Sequence, residues 1–299
     1  VGAENKALPA QVHDEFNRLM LTMAGAWGQN VYLRPSQETL VDLRSGSRGV
    51  TVEYNPQLGD AGSDGPAPLV GIILHKLLHF EAHLGQKGVQ VTVKSGAKDK
   101  EGMTPLMSYL TTVADHTWVV ARLQQLNPLL HSAQSRWGLD IAQMLVGSES
   151  MFNRYLSERN LHKLVGVLQT TDDANAFRDA IIKRLASLTH QTVEREKEET
   201  RRTYLGMQLA NVRLLNPEAY EPYIAALTEA GLANVRDAAI LAERLATALS
   251  ESSLANPPAL QAKEGEATPA IVVETGQFHN ALESGVKALG LANYFEVKG

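Results

Sequence analysis

No cysteine occurs among the 299 residues, so disulfides, thiolate metal sites and cysteine nucleophiles are excluded together. A metal bound by side chains would have to use His, Asp, Glu or Tyr. Long apolar runs are missing as well. The longest, Leu69 to Leu74, continues past the charged Lys76 and falls far short of the roughly 20 residues needed to span a bilayer. The chain carries no transmembrane segment and no basic, apolar, small-residue export signal, and it begins at Val1, as a fragment or processed form would. Basic blocks are scarce and the formal charge is -5, so neither nucleic acid nor an anionic membrane is an expected partner. What the chain has in quantity is apolar residues, 44% against 6% aromatic. That is enough to bury a full core in one large domain or two ordinary ones.

The apolar pattern divides the chain. Val12, Phe16, Leu19, Met20 and Met23 recur at helical spacing and predict an opening helix over 9–27. "NVYLRP", "ETLVDLRSG" and "GVTVEYNP" then read as strands, and a Gly/Asp/Pro loop leads into a helix from Leu69 to about Leu84, with Pro68 in its first turn. "VQVTVKSG" is a further strand. From Thr104 the pattern is helical almost throughout. It includes a helix ending before Asn127-Pro128, two helices led by Ser135 and Ser148, and one unusually long helix over 172–215 whose mixed-sign middle, Glu194 to Arg202, is expected to be a solvated face. Two helices over 217–253, a Pro/Ala/Glu-rich linker, a strand at "AIVVETG" and a last helix from Gln277 to Leu289 complete the reading. The expected fold is α+β and predominantly helical. An α+β domain with a short sheet occupies residues 1–125, and a mainly helical region occupies 126–299.

The stretch "LHKLLHFEAH", Leu74 to His83, carries the chemistry. His75 and His79 are four apart and so share one face of a helix, placing both imidazoles within reach of one ion. His83 lies roughly 12 Å along the axis from His75 and is expected to face solvent or to sit behind the ligands. Nine histidines in a chain of 299 would give roughly 0.3 such pairs by chance. The apolar helix around the pair strengthens it, because buried imidazoles need partners. The competing reading is two core histidines held by ordinary hydrogen bonds.

A strand ending in "VEYNP", a Gly-rich loop and "PLVGIILHKLLHFEAH" together resemble the zincin metallopeptidases, most nearly the bacterial effector and toxin branch in which a Tyr-Asn-Pro or Tyr-Asp-Pro strand precedes the histidine helix. The likeness covers roughly Val50 to His83. It implies zinc as cofactor, His75 and His79 as ligands, a general base at position 76, a protein substrate or partner, and a cytoplasmic or secreted bacterial effector. Third ligands in that family lie downstream. His116, or Asp115 as alternative or orienting residue, fills that place, with Glu101 and Glu149 on either side. Tyr54 and Glu53 would line the cleft or stabilise an oxyanion.

Position 76 departs from the family. It holds lysine where the family has a glutamate that takes the proton of a zinc-bound water. A protonated ammonium cannot do so, and losing a general base costs about 10² to 10⁴ in rate. The resemblance therefore implies little or no peptidase activity. Lys76 is either native to a pseudoenzyme or a change that silences a hydrolase. The remaining alternatives are a metal-binding pseudoprotease and a non-enzymatic helical interaction protein that uses the surface of 126–299.

Overall fold

The computed structural model describes residues 17, 20, 30–47, 49–60, 67–97, 100–152, 166–168, 170–258 and 275–299. Of the opening helix expected over 9–27, only Asn17 and Met20 are described, and both are helical. The strand expected at "AIVVETG" lies outside the described residues apart from its last two, which are helical. The chain is α+β and mostly helical. Contacts divide it into two units of non-contiguous stretches: the described residues within Val1–Glu81, Leu123–Arg178 and Pro258–Val272, and those within Ala82–Arg122, Asp179–Pro257 and Val273–Gly299.

In the first unit, β1 (Asn30–Pro35), β2 (Val41–Gly46) and β3 (Gly49–Tyr54) form a sheet in the order β1-β3-β2, with β1 parallel and β2 antiparallel to β3. Val41, Val50 and Val52 are fully buried, as β-branched residues in a covered sheet should be. Arg34, Glu53 and Asp42 stand in register across the three strands, and Glu53 takes ion pairs from Arg34 at 3.4 Å and Arg44 at 3.1 Å. Helix α1 (Ala67–Gly85) follows with Pro68 in its first turn, where a missing N–H costs nothing. Helix α2 (Lys100–Leu126) stops before Asn127.

Asn127-Pro128 is a start as well as a stop. Helix α3 (Pro128–Arg136) begins there, the Asn127 side chain accepting from the backbone N–H groups of Leu129 and Leu130 while Pro128 occupies the first turn. The single helix expected from Ser135 is divided by Gly138, whose φ of +64° is a left-handed helix terminator. Helix α4 (Leu139–Phe152) then runs through Ser148 without a break. Trp137 packs on Phe177 with ring centroids 5.9 Å apart.

The long helix expected over 172–215 is two: α5 (Ala174–Val193) and α6 (Glu198–Leu215). The break falls inside the charged run read as a solvated face. There the Arg201 guanidinium donates to the carbonyls of Glu194 and Glu196 at 2.8 and 2.9 Å, satisfying acceptors that a helix end leaves open. In the second unit α6 is followed by α7 (Pro217–Glu229) and α8 (Val235–Ser250). Helix α8 buries Val235, Ala238, Leu241, Ala242, Leu245 and Leu249, a stripe at three- and four-residue spacing. Each of its leucines contributes about 1.5 to 3 kcal/mol by leaving water. Gly206 of α6 meets that stripe, with no room for a side chain against Leu241. Helix α9 (Thr275–Ala288) and β5 (Phe295–Lys298) end the chain, β5 pairing antiparallel with β4 (Gln90–Val93). No sequence expectation covered β5.

Two contacts fix α2 against α6. Tyr109 meets Tyr204 edge to face at 4.5 Å between centroids, and His116 meets Asn211. The spacing is seven residues on both helices and in the same sense, so the two helices run parallel.

Candidate metal centre

Helix α1 is apolar on nearly every side, with Leu69, Val70, Ile72, Ile73, Leu74, Leu77 and Leu78 buried, which marks a helix enclosed by protein. His75 is fully buried within it, and His79, one turn on, is half-buried. Their ring centroids lie 5.0 Å apart. Helix α3 crosses the same stripe of α1 one turn earlier. A side chain at Gly71 would meet the Leu130 carbonyl at 2.7 Å and the Gln134 side chain at 3.2 Å. Glycine thus lets α3 approach closely enough for the buried Gln134 amide to reach His75, with Nε2 3.2 Å from the ring Nδ1.

His116 is buried on α2. Its Nδ1 lies 2.5 Å from Oδ1 of Asn211, a buried residue of α6. A carbonyl oxygen can only accept, so Nδ1 carries the hydrogen and the lone pair of the neutral ring sits on Nε2. His75 and His79 thus present two imidazoles one turn apart on α1. Two imidazoles so paired could hold a divalent ion together with a further ligand. The donor set suits zinc, which takes neutral imidazoles at about 2.0 to 2.1 Å.

The other candidate residues are placed elsewhere. Asp115, next to His116 in sequence, accepts a hydrogen bond from Gln86 Nε2, and burial pushes its carboxyl up to about 8. His83 is exposed. Tyr54 ends β3 opposite Pro35 and Val41, its carbonyl accepting from Ser36 N at 2.8 Å. Glu53 is committed to its two arginines. The side chains of Glu101 and Glu149 lie outside the described residues.

Lys76 is half-buried. Burial lowers its proton affinity from the ordinary lysine value, and the nearby Asp42 carboxylate of β2 partly restores it. The ammonium is therefore less basic than a solvated lysine and has a counter-charge on the sheet.

Sequence reasoning missed Gln134 and Asn211, which hold two of the three rings. They lie 59 and 95 residues from their histidines, and no local spacing marks them. Among the described residues no helix is long and apolar enough to cross a membrane. Comparisons with protein-family models, with curated proteins and with solved structures give no match.

Proposed function

We propose that this chain is a zincin-like metalloprotein that holds zinc on His75, His79 and His116, acts with a protein partner as an effector would, and does not hydrolyse peptides with lysine at position 76. The pairing of His75 and His79 one turn apart on a buried apolar helix, their ring centroids 5.0 Å apart, carries the reading, and His116 is proposed as the third ligand. Zinc bound there would supply Lewis acidity and a water of lowered pKa. The chain's own contribution is the placement of His75 and His79 on one face of an apolar helix.

The position of Lys76 favours the pseudoprotease form over a silenced hydrolase. The Asp42 carboxylate acts on Lys76 as an opposite charge and would act on a glutamate there as a like one. Burial disfavours either charge at this position, and Asp42 makes the cation the less costly of the two. The test is K76E, loaded with zinc and offered a mixed peptide library. Absence of cleavage in the zinc-loaded variant supports the pseudoprotease, while cleavage by K76E alone supports a hydrolase silenced by its lysine. Zinc-free protein in both forms would leave the helical interaction reading in its place.

A further inference from the structure

We infer that the outer edge of β1 is an interface, and that its partner is the β1 of a second copy of this chain. β1 is an edge of the first unit's sheet, and no described strand lies beyond it. Ser36 N donates to the Tyr54 carbonyl of β3. Along a strand the backbone groups of successive residues turn to opposite sides, so Asn30, Tyr32 and Arg34 bond inward to β3. Val31, Leu33 and Pro35 turn theirs outward. Pro35 has no N–H to lose on that side, as suits an edge strand. The strand is exposed along nearly its whole length. Tyr32 at 46% and Leu33 at 38% are two of the few large hydrophobic side chains exposed among the described residues, and they are neighbours on this one edge. Outward backbone groups flanked by apolar side chains form a template for another strand.

The pattern on that edge is complementary to itself. In an antiparallel pair with its twofold axis at Tyr32, Val31 stands opposite the partner's Leu33, and Leu33 opposite the partner's Val31. All of these are outward residues, so each of their N–H and C=O groups finds a reciprocal hydrogen bond. Val31 and Leu33 are in register with the buried Val50 and Val52 of β3, so their contact across the axis extends the apolar face of the sheet. Tyr32 lies on the other face, beside Thr51, and meets the partner's Tyr32. Arg34 falls opposite the partner's Asn30, which sets no like charges against each other. An axis at Leu33 would put Val31 against the partner's Pro35, which cannot donate, and would lose a hydrogen bond at each end. The isologous pairing joins the two three-stranded sheets into one. Nothing in it depends on a bound ion.

Sedimentation velocity of the full chain over about 1 to 200 μM should show a monomer–dimer equilibrium, weak because the contact is small. Tyr32→Lys sets like charges opposite each other at the axis and should weaken the dimer about tenfold or more, as should Tyr32→Glu. Mixing these two variants should restore a dimer of unlike copies, which also shows that both are folded. The chain has no cysteine, so one introduced thiol reads the register. Tyr32→Cys should cross-link between copies on mild oxidation, because facing Cα atoms in such a pair lie about 4.5 Å apart, within disulfide reach. Arg34→Cys should not, since the two positions are offset by four residues, roughly 13 Å along the strands. A chain monomeric at every concentration overturns the pairing. So does a dimer that both charged variants leave intact, or one that cross-links through Arg34→Cys and not through Tyr32→Cys.

Discussion

The Nδ1 of His116 donates to the Asn211 carbonyl at 2.5 Å across two helices that lie 95 residues apart in the chain. Seven residues earlier on both helices, Tyr109 and Tyr204 make the companion contact. Buried polar pairs of this kind set one register between helices that apolar contacts alone would leave free to slide, and here the register also determines which way an imidazole points.

Gly71 should prove intolerant of any side chain. A methyl group there meets the Leu130 carbonyl at 2.7 Å, and backbone cannot move aside as a flexible side chain can. Gly71→Ala is expected to cost about 1 to 3 kcal/mol, as overpacking does, and to weaken zinc binding by drawing Gln134 away from His75. Chemical denaturation and chelator competition on the same variant check both halves. Unchanged stability would mean that α3 has room to shift.

Lys76 and Asp42 should couple in a double-mutant cycle. Lys76→Glu alone should destabilise by about 0.5 to 1 kcal/mol or more through like-charge repulsion, with part of the loss recovered in Lys76→Glu/Asp42→Asn. Lys76→Met, which removes a half-buried charge while keeping its bulk, should be close to neutral. Additive losses in the double variant would show that the two groups do not meet.

His131 of α3 should add a pH-dependent contribution. Burial lowers its proton affinity below the ordinary value of 6.5. As pH falls through that value the unfolded chain takes up the proton and the folded chain does not, so stability present above it is lost below it. Each pH unit over which only the unfolded chain is protonated is worth about 1.4 kcal/mol. Thermal melts at pH 7.5 and 5.5 should therefore differ less for His131→Phe than for the parent. An equal difference would place this imidazole in water.

The sequence made the strands and α1 legible because their signals are local. Alternating Val residues mark β3, an unbroken apolar run marks α1, and Pro and Gly punctuate both. His75 and His79 were visible for the same reason, being one turn apart on one helix. What was hidden depends on partners distant in sequence or on competition between signals. Asn127 and Pro128 both end one helix and start the next, and only the first role was read. The charged run from Glu194 conceals a break, because Arg201 turns back onto carbonyls instead of outward. "FEVK" at Phe295–Lys298 is too short to declare itself without β4 beside it. His116 was reached through the resemblance, while Asn211 and Gln134 carry no local pattern at all.

Zinc content bears most directly on the central claim. Protein purified without added metal, then analysed by inductively coupled plasma mass spectrometry, should carry about one zinc per chain, as the proposed function requires. His75→Ala, His79→Ala and His116→Ala should each lose it and melt at lower temperature than the zinc-bound parent. A parent chain free of zinc and unable to take it up, with all three variants as stable as the parent, would contradict the metal centre and leave three core histidines in a helical framework.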